Sequence, residues 1–322
     1  MTLQQLSYIR EIVRQGFSVS KAAEALAMTQ PGLSRQVLAL EHELRTPLFL
    51  RQRNRLVRLS AAGVVAHELA GTMLLQAESI RRACREARDP HDGKLTIATT
   101  HTQARYVLPK VVQAFGRRFP AVALRLRQGT PTDTARMVSD GTADLSIATE
   151  PLQHAAALAF LPCYVLPRIV LVPAGHPLAR HRKLTLEHLV RYPLITYDDA
   201  FVATPKVLAA FARRGLSPSV VLNAIDADVI KTYVELGMGI AVLPSLAHDP
   251  RRDKHLRALP AAHLFESNVI QIGVRTGDYL PAYAYAFIEM FAPHLDRGTV
   301  VAAVNERMRN SNGAITSDPR RE

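Results

Sequence analysis

Gln30, Ser34, Arg35 and Gln36 stand on the polar side of a short helical pattern whose apolar stripe is Leu33, Val37, Leu40 and Leu44. Side chains of these types donate to base edges and phosphates when a helix lies in a DNA major groove. A second constellation lies at TTHTQ (99–103), where a strand pattern ends and a helical one begins. Backbone N–H groups and the positive end of a helix dipole meet at such a junction and favour an anion. Thr100, Thr102 and Gln103 add donors without adding charge, and a neutral cage can release its anion, as a sensor must. Thr149, ending a third strand pattern, faces the same crevice in an open α/β sheet. The plainer alternative is that these threonines only cap the helix.

Each constellation needs a scaffold. Residues 18–44 read as two helices joined at Met28 and Thr29, with Ala22, Ala23 and Ala25 allowing close approach and Leu26 closing the first helix. Pro31 suits a first helical turn, where its missing N–H is not needed. An amphipathic helix over about 2–15, with Leu3, Leu6, Ile9, Ile12 and Val13 on one face, completes a three-helix module. Behind it, Leu48, Phe49 and Leu50, then Leu56, Val57 and Leu59, bracket the tip QRNR. That is a β-hairpin with a basic turn, a wing, in which Arg51, Arg53 and Arg55 would grip phosphates. Arg45 and Arg58 add to the same positive run.

Ser60 reads as the N-cap of a long helix to about Ala87. Val65, Leu69, Met73, Ala77, Ile80 and Cys84 form a stripe that one helix cannot bury alone, so pairing with a second copy is expected. DPHDG (89–93) breaks the pattern. Strand and helix patterns then alternate: strands at 95–100, 122–129 and 143–150, a similar pattern beginning at 168–178, strands around PLITYD and VVLNAID, at 239–244 and at 268–275; helices at 103–119, 132–141, 228–238 and 281–292. Such alternation predicts parallel sheets with crossover helices. The expected fold is therefore α/β: a winged helix-turn-helix at 1–59, a linker helix and hinge at 60–92, and a two-lobed periplasmic-binding-protein-like effector domain at 93–296. Lobe one takes 93–165 plus 268–296, and lobe two 166–267. A helix and a polar tail, unordered from about Asn310, close the chain at 297–322.

The chain has 322 residues and a formal charge of +12, room for two or three domains and a charge that favours a polyanionic partner. No apolar run approaches the ~18 residues of a membrane span, and the charged amphipathic start is unlike a secretory leader. Cys84 and Cys163 lie far apart, which fits a reducing cytoplasm; Cys163 has too little positive charge nearby for a redox sensor. His176, His181 and His188 lack metal-ligand spacing. No phosphate loop, GxSxG elbow or HExxH occurs, so neither catalytic nor metal residues are assigned and no cofactor is expected. Tyr164 and Tyr197 read equally well as crevice or core residues, and Lys231 as a helix-surface ion pair.

The module, long helix and two-lobed body together resemble the LysR-type transcriptional regulators over about 1–295. TTHTQARYVLP (99–109), QGTPT, IATE, LITY, DADVIKTYV (226–234) and FAPHL (291–295) are similar to the CysB-like subgroup, regulators of sulfur assimilation. The resemblance implies a homotetramer on double-stranded promoter DNA, engagement of RNA polymerase, and a small anionic effector such as sulfate or acetylserine contacted at Thr100, Thr102, Gln103 and Thr149. One departure stands out. Val202 occupies a position where the subgroup offers the ligand a threonine, and Asp198 and Asp199 nearby would repel an anion. Either Thr204 substitutes, or the effector is another sulfur metabolite, such as adenosine phosphosulfate or an organosulfonate. The rival functions are a small-molecule binding protein with a non-functional DNA module, a regulator of an unrelated pathway, and an enzyme built on the α/β body.

Overall fold

In the computed structural model, which describes residues 1–53, 55–149, 157–199, 201 and 203–315, the N-terminal apolar spacings become three helices. They are α1 (Leu3–Arg14), α2 (Val19–Ala25) and α3 (Gln30–Glu43). Thr2, Ser18 and Thr29 cap them, each side-chain oxygen accepting a backbone N–H that the first turn leaves open. Leu6, Ile9, Ile12, Ala22, Ala23, Leu33, Val37 and Leu40 share one core, where each large side chain contributes roughly 1.5–3 kcal/mol. Three expected members are absent from it: Leu3, Ala25 and Leu44 are exposed. Leu3 opens α1, Ala25 ends α2 and Leu44 caps α3, so all three sit where the helices leave the packed region.

β1 (Phe49–Gln52) and β2 (Arg55–Leu59) form the antiparallel hairpin. One carboxylate fixes it. Glu41, in the last turn of α3, is buried; its Oε1 accepts the N–H groups of Leu48 (2.8 Å) and Phe49 (3.0 Å), and its Oε2 pairs with Arg51 at 2.7 Å. Ser60 then donates to Pro47 O (2.6 Å) and accepts from Gly63 N–H (2.9 Å), launching α4 (Ala61–Arg88). Gly63 is obligatory there, because a Cβ would lie within van der Waals overlap of the Leu48 carbonyl. This unit, Met1–Ala87, is one of two compact units; the other is Arg88–Glu322.

The second unit runs β3 (Gly93–Thr99), α5 (His101–Tyr106), α6 (Leu108–Arg118), β4 (Val122–Gln128), α7 (Pro131–Ser139), β5 (Leu145–Ala148) and β6 (Leu158–Leu166) through a first lobe. It crosses at Pro167 into β7 (Arg168–Pro173), α8 (Leu186–Leu189), β8 (Leu194–Tyr197), α9 (Ala203–Ala212), β9 (Val220–Ala224), α10 (Ala227–Glu235), β10 (Ile240–Pro244) and β11 (Leu256–Pro260). It returns through β12 (Asn268–Arg275), α11 (Ala282–Phe291) and α12 (Arg297–Ile315). The sheets are ordered β4-β3-β5-β12-β6 and β11-β7-β10-β8-β9. No helix among the described residues is long and apolar enough to cross a membrane.

Three expectations are corrected. The sheets are mixed rather than parallel: β12 runs antiparallel to β5 and β6, and β7 antiparallel to β10 and β11, because each lobe is closed by a strand arriving from the crossing. The single helix expected over 103–119 is two, broken at Val107 (φ −110°, ψ −52°). Pro109 in the first turn of α6 has no N–H to continue the ladder, and its ring excludes the carbonyl four residues back. Finally, α12 continues past Asn310 to Ile315, propagation from a turn docked by buried Val300 being far cheaper than nucleation.

The two lobes are clasped through α5 and α10. Asp228 of α10 accepts from Tyr106 Oη (2.6 Å), pairs with Arg105 Nε (2.7 Å) and meets His101 Nε2 at 3.0 Å. Lys231, expected on a helix surface, is buried instead. Its Nζ reaches Asp253 (2.8 Å), Asp228 (3.3 Å), Tyr106 Oη (3.1 Å) and Ala247 O (3.1 Å), a set of acceptors that compensates its desolvation. Burial raises the Asp228 pKa, but hydrogen bonds from His101 and Tyr106 and the charges of Lys231 and Arg105 outweigh it and hold the carboxyl at about 2.

Glu41→Ala strands two buried N–H groups and should lower the unfolding free energy of the N-terminal unit by about 1–3 kcal/mol. A urea titration followed by circular dichroism reads this; an unmoved midpoint would contradict the role given to Glu41. Asp228 has a depressed pKa in the folded chain, so its contribution is full above about pH 4, the ordinary aspartate value, and is lost as pH falls through about 2. Asp228→Asn should therefore lower the melting temperature at pH 7, and the gap to the unsubstituted chain should shrink toward pH 3 and below. Thermal melts at both pH values check this, and an equal gap at both would refute it.

Candidate functional site

On the first unit, α3 presents Gln30, Arg35 and Gln36 exposed and Ser34 half-buried. Gln30 Nε2 donates to Ser34 Oγ at 3.1 Å, and Arg35 Nε approaches Pro31 O at 3.4 Å, so the two polar side chains are held close to the helix start. Arg53, with φ +48° at the hairpin tip, and Arg55 beside it are exposed. Arg51 differs from expectation. Its guanidinium turns inward to Glu41, because a buried carboxylate needs a counter-charge, and it shares a crevice wall with Gln30 and Ser34. Arg35, Arg53 and Arg55 stay exposed on this unit.

In the second unit, Thr100, Thr102, Gln103 and Thr149 line one cleft of about 390 Å³, counted to its open mouth. Thr100 occupies the N-cap position of α5, yet its side chain makes no capping hydrogen bond, so ordinary capping does not account for it. The helix that follows has only six residues and supplies little dipole, so side-chain and backbone donors are the groups there able to complement an anion. Thr102 Oγ1 lies 3.4 Å from Tyr197 Oη. Burial pushes the Tyr197 phenol up to about 12, so at neutral pH it keeps its proton and can donate.

Gln103 is 1% exposed. Tyr164 Oη donates to its Oε1 at 2.6 Å, which leaves Nε2 as the outward donor. Burial also raises the Tyr164 pKa, so that donation persists. Tyr164 thus positions Gln103, whereas Tyr197 is both buried and part of the cleft wall. Asn268 and the apolar Leu166, Phe201, Pro244 and Ile270 complete the described lining, which holds no carboxylate among the described residues.

Val202 lies outside the described residues. Thr204 does not take its place: it is 1% exposed, is absent from the described cleft lining, and its hydroxyl donates to Tyr197 O at 2.7 Å. Its proton being committed, Thr196 must donate in the 3.1 Å contact between the two hydroxyls. Asp198 and Asp199 are likewise not part of the described lining.

His101, Asp226 and Asp228 bring ligand atoms within 4.8 Å of one another. Arg105 and Lys231 already pair with Asp228, and a metal ion there would face both cations, so the set does not fit one. His181 stacks on His188 at 4.0 Å, while His176 packs on Tyr192 instead. Burial raises the Cys163 thiol to about 12, leaving little thiolate for redox chemistry. Sequence reasoning missed Glu41, Asn268 and the Asp228 clasp; a polar residue opening a strand, as Asn268 does, carries no local signal.

Residues 3–64 match the family described as bacterial regulatory helix-turn-helix protein, lysR family, and residues 88–296 match the LysR substrate binding domain. The HTH-type transcriptional regulator SsuR of Burkholderia cenocepacia is 48% identical over 306 residues, which span 95% of this chain and 99% of that protein. CysB of the same organism is 45% identical over 304 residues, spanning 94% of this chain and 97% of that one. The crystal structure of the cofactor-binding domain of the Cbl transcriptional regulator is similar with a TM-score of 0.63 at 40% identity, covering 66% of this chain and 93% of that one. A full-length OxyR from Pseudomonas aeruginosa, 23% identical, shares the fold with a TM-score of 0.67 over 92% of this chain and 94% of that chain. The chain belongs to the LysR family of bacterial helix-turn-helix transcriptional regulators.

Proposed function

We propose that the chain is a cytoplasmic regulator of sulfur-metabolism genes whose grip on promoter DNA answers to a small sulfur-containing anion. The convergence of Thr100, Thr102, Gln103 and Thr149 on a cleft with donors and no described carboxylate carries this reading. Sulfate, acetylserine and organosulfonates all present oxyanion groups that such donors complement. Similarity to SsuR and CysB over nearly the whole chain supports the choice of sulfur metabolism. No cysteine, histidine or lysine is among the described lining residues, which favours binding over catalysis.

On the DNA side, Gln30, Ser34, Arg35 and Gln36 read bases while Arg53 and Arg55 hold phosphates, and Arg51 keeps the wing in place. Leu69 and Ile80 are 59% and 67% exposed on one face of α4, with Val65 and Met73 beside them. Covering that stripe with the same stripe of a second copy makes a homodimer, and dimers combine into the tetramer. Paired modules then meet paired half-sites, and RNA polymerase is the partner to which the occupied promoter is presented. Effector shifts the balance between two states by binding one of them more tightly.

Arg53→Ala should weaken binding to every DNA sequence and make the slope of log affinity against log salt shallower by about one unit, as expected for one lost phosphate contact. Fluorescence anisotropy across a salt series measures it; an effect confined to one operator would contradict the phosphate role. Thr100→Val keeps the shape and removes a donor, so calorimetric sulfate affinity of the full chain should fall about tenfold or more. Unchanged affinity would show that the anion binds elsewhere.

A further inference from the structure

Arg168 and Asn268 stand at the two crossings between the lobes, and neither was singled out by sequence. Arg168 is the first residue of β7, and Asn268 the first residue of β12, paired in the ladder with Leu166 of β6. Arg168 is 1% exposed, the largest of the fully buried side chains among the described residues. Its Nη2 donates to Asn268 Oδ1 at 2.9 Å. Asn268 is itself buried and lines the cleft with Thr100 and Thr149.

This contact settles which way the amide points. A guanidinium has donors only, so the Asn268 atom facing it must be the oxygen. The amide nitrogen is then the end turned away from Arg168. A charge-assisted bond to the oxygen also polarises the amide and strengthens its N–H groups as donors. A full positive charge sits directly behind this wall, and its field reaches the cleft, where it acts on Tyr197 against the larger upward effect of burial.

We propose that Asn268, oriented and polarised by the buried Arg168, is a further effector-contacting donor, through which a cage of otherwise neutral groups presents positive charge to an oxyanion. The inference rests on the anion reading of the cleft. It also explains selectivity: a neutral ligand of the same shape gains nothing from the guanidinium, whereas a sulfate or sulfonate group does. Arg168 does not touch the ligand; it positions the group that does.

The test is calorimetry of the full chain with sulfate and with methanesulfonate, alongside thermal melts without ligand. Asn268→Asp keeps an oxygen for Arg168 but replaces the N–H donor with negative charge. Sulfate affinity should fall a hundredfold or more, while the unliganded melting temperature holds because the new carboxylate pairs with Arg168. Asn268→Ser removes the amide without adding charge and should weaken sulfate about tenfold. A purely structural Asn268 would leave the sulfate affinity of Asn268→Ser within threefold while Thr100→Val still lost binding, and that result would overturn the inference alone. Binding of neither anion by the unsubstituted chain would overturn the anion reading and this inference with it.

Discussion

One carboxylate from the second lobe, Asp228, gathers three side chains from a single six-residue helix of the first. Much of the ligand-binding half depends on that arrangement. Pro109 forces α5 to stop early, so the helix that carries Thr100, Thr102 and Gln103 toward the cleft is the same short body that carries Arg105 and Tyr106 into the clasp. Six residues span fewer than two turns, too short to bend. On the proposed anion reading, a ligand held at one end would act on the groups at the other. Lys231, held by Asp253 and Ala247 of the second lobe, anchors the far side of the clasp.

The DNA-binding half uses the same device at a smaller scale. Glu41, offered by the recognition helix, satisfies the first two N–H groups of the wing and holds Arg51. The placement of the β1–β2 hairpin against α3 is therefore fixed through one buried carboxylate. Burying a charge is costly unless it is paired and hydrogen-bonded; the buried Glu41 has two N–H groups and Arg51, and the half-buried Asp228 has the Tyr106 hydroxyl, His101, Arg105 and Lys231. Packing alone would hold the elements together; these bonds fix their register.

Local features were legible in the sequence, and distant pairings were not. The three helices and the wing follow from spacing within a few residues, and so does the threonine cluster, since Thr100, Thr102 and Gln103 are neighbours along the chain. The break at Val107 was also local, and Pro109 was the available signal. By contrast, Asp228 and Tyr106 are 122 residues apart and Arg168 and Asn268 are 100 apart. No periodicity links such positions. The antiparallel closure of both sheets was hidden for the same reason, because strand direction is decided by the crossing rather than by the strand. Lys231 illustrates the limit: its neighbours in sequence suggest a surface pair, and only the fold brings Tyr106, Asp253 and Ala247 around it.

If the cleft and the DNA face are input and output of one switch, their ligands must be thermodynamically linked, and the linkage must be reciprocal. The direct measurement is sulfate affinity of the full chain by calorimetry, alone and saturated with an operator fragment selected from random-sequence DNA. The account predicts different sulfate affinities in the two titrations, and an operator affinity changed by the same factor when sulfate is saturating. Tight binding of both ligands with identical affinities in every combination would contradict it.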